Sequence, residues 1–255
     1  MKNEQMTIGE DKTILGMLLA VAGNSLFVAI VSVIFSLLIT SIIAATTSLT
    51  GDALIDKINI FYTKYYIEYF ITIVGLSLLL LTYGLLLGKR RTKSILGSFK
   101  NKKVWIYSLL IGLGFVVVSS VYSYLISFIT ESSVNSNQVE VVNIIEENHI
   151  LAFVYVVLLA PVVEEIGMRY FIFGGLKKYK KVLAYILGSS IFALLHYMVL
   201  IGQSDINVLS EILALPTYLG AGLLFCYVYD KSERISCPII MHTLNNLISF
   251  LIVVL

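Results

Sequence analysis

The stretch ILAFVYVVLLAPVVEEIGMRYFIFGGL, residues 150–176, decides how the rest of the chain is read. It is longer than the ~20 residues a helix needs to cross a ~30 Å hydrocarbon layer. Backbone groups in that layer must bond to one another, so the stretch is expected to be a membrane-spanning helix. Three charges, Glu164, Glu165 and Arg169, interrupt it where charge is unwelcome. Facing lipid they would cost on the order of 7 to 10 kcal/mol together, at roughly 2.5 to 3.5 kcal/mol each on insertion scales. They are therefore expected to face one another or a wet cavity.

The whole chain shares the character of this stretch. Of its 255 residues 58% are hydrophobic and only 13% charged, which sets it apart from soluble globular domains. Apolar runs at 25–46, 67–88, 105–130, 150–175, 182–202, 207–229 and 236–255 predict seven spans. Residues 13–22 either lie along the interface or extend a tilted first helix, and eight spans is the alternative count. The fold class that follows is all-α, a polytopic transmembrane helix bundle. Residues 1–148 supply N-terminal helices and loops, and 149–255 the helical core that holds the buried charges, in one integral membrane unit.

Lysine and arginine sort among the loops. Lys89, Arg90, Arg91, Lys93, Lys100, Lys102 and Lys103 follow the second span, Lys177, Lys178, Lys180 and Lys181 the fourth, and Lys231 and Arg234 the sixth. The alternate loops hold Lys57 and Lys64. The positive-inside rule places the basic loops and the N-terminus in the cytoplasm. The outer connection from Glu131 to His149 reads as a solvated connector, with His149 exposed on it. The first apolar run is too long for the roughly 7 to 15 residue core of a cleaved signal peptide and is read as retained.

Several classes drop out. A net charge of +2, with no basic run interleaved with aromatics, gives no footprint for nucleic acid. Cys226 and Cys237 lack metal-type spacing and read as free thiols. No internal repeat is visible, which argues against a transporter built from duplicated halves.

The ionisable residues deep inside spans are Glu164, Glu165, Arg169, His196 and His242, all in the fourth, fifth and seventh spans. Glu165 and Arg169 are four apart on a helix and share a face, which predicts an ion pair, while Glu164 projects about 100° away. Pro161, one turn earlier, lacks an N–H and opens the backbone ladder there. FALLH puts Phe192 and His196 on one face, after Gly188, Ser189 and Ser190, which permit tight packing; HTLNN does the same for His242 and Asn246, after Pro238 in the first turn. A carboxylate and an imidazole can hold and activate water directly or through a metal, and an imidazolium with an amide N–H can stabilise an oxyanion. His242 alone would read as an interhelical hydrogen-bond partner, Asn245 as a helix contact, and Asp205 and Glu211 as residues reaching the outer interface.

EEIGMR (164–169), FALLH (192–196) and HTLNN (242–246) resemble, in order and each in its own span, the EExxxR, FxxxH and HxxxN signatures of the CPBP intramembrane proteases, the CAAX-protease and bacteriocin-processing or Abi family. The resemblance covers about residues 150–250. It implies a membrane-embedded, glutamate-type or metal-dependent endopeptidase acting on a membrane-associated peptide or protein within the lipid bilayer. By the same resemblance Glu164 is the base that activates water with His196, and His242 and Asn246 stabilise the oxyanion. Glu165 and Arg169 support the first signature, and Phe192 packs in the second. Glu164, His196 and His242 would suit zinc chemically, so a divalent metal is left open. Peptide or bacteriocin processing or self-immunity in a bacterial plasma membrane is the expected setting, with CAAX prenyl endopeptidase activity as the alternative. Intramembrane Glu, Arg and His also mark proton-coupled transporters, and a family member without catalysis would be a membrane scaffold.

Overall fold

The computed structural model describes residues 24–62, 64–65, 88–130, 135–197 and 206–255. All regular structure among them is helical. Helix α1 is Asn24–Thr46, α2 covers 51–62, α3 is Gly88–Ser98, α4 Lys102–Thr130, α5 Ser136–Glu147, α6 His149–Lys177, α7 Lys181–His196, α8 Val208–Ser232 and α9 Ser236–Val254. Helices α4, α6, α8 and α9 are each long and apolar enough to cross a membrane, and α7 is a shorter apolar helix. The chain is an all-α integral membrane bundle. The expected second span, 67–88, and residues 13–22 lie outside the described residues, apart from Gly88 itself.

Small residues set how closely the helices approach. A Cβ on Gly222 of α8 would lie 2.8 Å from Ser189 Cα on α7, and one on Gly188 would lie 3.2 Å from Cys226 Sγ. The GSS run of α7 thus lets two backbones nearly touch, as small residues do at membrane helix interfaces. Gly112 brings α4 onto α9 in the same way, its Cβ position lying 3.2 Å from Leu244 Cδ2. One core cluster then joins five helices: Val104 of α4, Met168 and Ile172 of α6, Phe192 of α7, Phe225 and Val228 of α8, and Ile240 and Met241 of α9. Lipid-facing sides stay apolar, as with Val118 and Phe128 of α4, because there is no water to avoid.

Two expectations need correction. The connector from Glu131 to His149 is not merely solvated chain: from Ser136 it forms α5. The Asn135 side chain accepts the Gln138 N–H as an N-cap, and Ile144 and Ile145 are buried against Val156, Val157 and Phe250. His149 is exposed as expected. Glu211 does not simply reach the interface. It is buried, and its Oε1 accepts the Ser136 N–H at 2.7 Å, so a carboxylate sits at the positive end of α5. Asp205 lies outside the described residues. Cys226 and Cys237 are free and buried.

Candidate active site

Helix α6 is not uniform. Phe153–Leu159 and Ile166–Phe173 are wound as π-helix, and the α-helical turn Ala160–Glu165 between them carries both glutamates. Such widened turns inside helices recur at functional sites. The first has a local cause. The Ala160 N–H bonds back to the Tyr155 carbonyl, and Pro161, next in line, has no N–H to offer. The Val156 carbonyl instead accepts Asn246 Nδ2 of α9 at 2.9 Å. A neighbouring side chain thereby meets a backbone group that the proline turn leaves unserved, as membrane interiors require.

Glu165 is the buried centre of the site. Its Oε2 lies 3.0 Å from Arg169 Nε, and its Oε1 lies 2.9 Å from His242 Nδ1, with Glu165 and Arg169 fully enclosed. A carboxylate held beside an arginine is an acceptor, so His242 Nδ1 is the protonated nitrogen. Its other nitrogen, Nε2, is then the edge left for chemistry. The Glu165–Arg169 contact is an ion pair without hydrogen-bond alignment, and neither Arg169 Nη has a partner among the described residues. The guanidinium lies instead over the faces of Phe192 and Phe225, 4.3 and 5.2 Å from their centroids. Phe225, which no sequence motif marked, also packs 5.4 Å from the His242 ring.

His196 stands at the end of α7. Its Nδ1 lies 2.9 Å from the Phe192 carbonyl, which can only accept, so the proton is on Nδ1 and Nε2 carries the lone pair of the neutral ring. The Phe192 ring touches both imidazoles, with centroids 4.6 Å from His196 and 6.0 Å from His242. The charges of Glu164, Arg169 and His242 act on His196. Glu164 itself is half-buried and has no ion-pair or hydrogen-bond partner among the described residues.

The sequence-derived residues thus fall into two groups. Glu165, Arg169, Phe192 and His242 interlock directly, while His196 and Glu164 approach from α7 and the other face of α6. Asn246 is partly committed: one N–H serves Val156, and its Oδ1 accepts Asn245 Nδ2 at 3.3 Å. Among the described residues no three His, Cys, Asp or Glu side chains stand close enough to hold a metal ion. The set Glu164, His196 and His242 is therefore not gathered around one ion as placed, although both histidines keep Nε2 free.

Comparison with known proteins falls on this region. Residues 146–248 match the model of the type II CAAX prenyl endopeptidase Rce1-like family. Over 165 residues the chain is 27% identical to the membrane-embedded CAAX protease MroQ of Staphylococcus aureus (strain USA300), a match spanning 62% of this chain and 62% of that protein. No solved structure matches the chain significantly. EEIGMR, FALLH and HTLNN all lie inside the stretch that the family model matches, so the part of the chain that carries the site is similar to the CAAX protease family.

Proposed function

We propose that the protein is a membrane-embedded endopeptidase that hydrolyses a peptide bond of a membrane-associated peptide or protein with water activated by Glu164 and His196. The observation that carries this reading is the commitment of Glu165. With that carboxylate spent on Arg169 and His242, Glu164 is the one of the pair left without an ion-pair or hydrogen-bond partner among the described residues, and its charge acts on His196. Water held between Glu164 and the His196 Nε2 lone pair gives up a proton as its oxygen attacks the scissile carbonyl carbon. As an imidazolium, with Nδ1–H held by Glu165, His242 offers Nε2–H to the oxyanion, aided by the second N–H of Asn246. As the tetrahedral intermediate collapses, the C–N bond breaks and the held proton passes to the leaving amine. No step is routed through a metal.

The names of the matched family and relative point to a CAAX-type substrate, and the resemblance of the three motifs to processing or immunity peptides. Both classes are tested together. Purified protein in nanodiscs is offered a farnesylated peptide ending in CAAX and an unprenylated membrane-associated peptide, with cleavage read by mass spectrometry. Cleavage of one class assigns the substrate, and Glu164→Gln and His196→Ala each lower the rate by about 10² to 10⁴-fold while the proteins stay folded. Cleavage retained in Glu164→Gln overturns the mechanism, and a wild-type protein inert towards both peptides favours the scaffold reading.

A further inference from the structure

Tyr218 of α8 belongs to none of the three motifs, yet its ring stacks on His196, with centroids 4.5 Å apart and planes at 29°. Its hydroxyl is held twice. It donates to Asn135 Oδ1 at 3.1 Å and accepts from Asn137 Nδ2 at 3.2 Å. The same Asn135 oxygen caps α5, and the Ser136 N–H beside it is held by Glu211, seven residues before Tyr218 on the same face of α8. The first turn of α5 is thus fastened to α8 at two levels, and the lower fastening ends on the imidazole. A ring present only to fill space has no need of a doubly bonded hydroxyl; these bonds stop the tyrosine from turning, and the stack stops the imidazole.

We infer that Tyr218 is a positioning residue for His196, which it holds with its Nε2 edge directed into the site while α5 anchors the tyrosine from outside. The inference rests on the reading that His196 helps activate water. The imidazole is constrained from three sides: Nδ1–H on the Phe192 carbonyl, the Phe192 ring, and the Tyr218 ring. Removing the last leaves the others to a ring on the last residue of α7. A reacting group misplaced by about 1 Å costs up to about 10²-fold in rate.

The test compares Tyr218→Leu, Tyr218→Phe and His196→Ala in the full chain, using a quenched fluorescent farnesylated CAAX peptide and its unprenylated counterpart. Tyr218→Leu is expected to lower kcat about tenfold or more with KM changed less than about twofold, and to move the acid limb of the pH profile. Tyr218→Phe keeps the stack, loses both hydroxyl bonds and falls between. Histidine ring ¹⁵N spectra, with His196 assigned from His196→Ala, give a second readout independent of cleavage. The wild type shows one tautomer protonated at Nδ1, and Tyr218→Leu an averaged ring. If Tyr218→Leu retains wild-type kcat while His196→Ala is inactive, or if the His196 spectrum is unchanged, the inference is overturned and the reading of the site stands. If His196→Ala cleaves like the wild type, that reading fails instead, and the spectra alone decide whether Tyr218 holds the ring.

Discussion

Glu165 and Asp230 are both buried carboxylates balanced by cations in one bundle, and they are balanced by opposite means. Asp230, near the C-terminal end of α8, accepts Lys177 Nζ, Lys181 Nζ at 2.6 Å and the Tyr185 hydroxyl at 3.1 Å. Its lysines are 36% and 56% exposed, so their stems cover the protein while their heads reach water. Glu165 has no such outlet: its arginine is fully enclosed between phenylalanine faces, with unpartnered Nη atoms. The Asp230 cluster ties the C-terminal ends of α6 and α8 to the first residue of α7 at little electrostatic cost. The Glu165 cluster is an expensive arrangement for a fold, and its return is a histidine held by its Nδ1. The difference separates an ion pair that serves architecture from one kept for its effect on a neighbour.

The largest effect expected from this contrast is in Arg169→Ala, which strands a buried carboxylate and should cost about 3–5 kcal/mol of stability, measured by unfolding in detergent. Gly222→Ala comes next. Its new Cβ would meet the Ser189 backbone at 2.8 Å, forcing α7 and α8 apart at about 1–3 kcal/mol in the same assay. Glu165→Leu combined with Arg169→Leu should cost less than Arg169→Ala, since apolar replacement of a buried pair is itself often neutral and about 1–3 kcal/mol is left for the buried His242 Nδ1–H that loses its acceptor. That double variant should melt above Arg169→Ala yet lose cleavage, which would sharpen the distinction to a single protein. Asp230→Asn should cost only about 1 kcal/mol and leave peptide cleavage intact, because its lysines turn to solvent; a loss equal to that of Arg169→Ala would break the comparison.

Much of this was legible in residue order. The described spans follow their apolar runs because a bilayer demands long uninterrupted helices, and the Glu165–Arg169 pair follows from four-residue spacing on one of them. The contact of His242 with Glu165 was not legible, because it joins residues 77 apart through the way α6 and α9 pack. Asn246 was read as an oxyanion donor from the motif alone, and its bond to Val156 appears only once Pro161 is seen to leave that carbonyl free. Helix α5 escaped notice because its apolar residues are mixed with glutamates and its length is well short of a span. A signal was present, since Asn135 stands as an N-cap before a pattern that places Val141, Ile144 and Ile145 together. Tyr218 and Phe225 carried no signal, being ordinary aromatics of an apolar helix until their partners are known.

The π-wound turn at Phe153–Leu159 also has an evolutionary consequence. A π stretch is an α-helix holding one residue more than its hydrogen-bond ladder needs, so the chain there contains a spare position. Losing one residue from it would let the helix relax to ordinary winding without shortening any motif. EEIGMR would keep its place against His196 and His242, but everything before the deletion would turn by about 100°, carrying Val156 away from Asn246. Relatives that differ by a single-residue gap at this point should therefore keep all three motifs and lose, or replace, the asparagine's backbone partner.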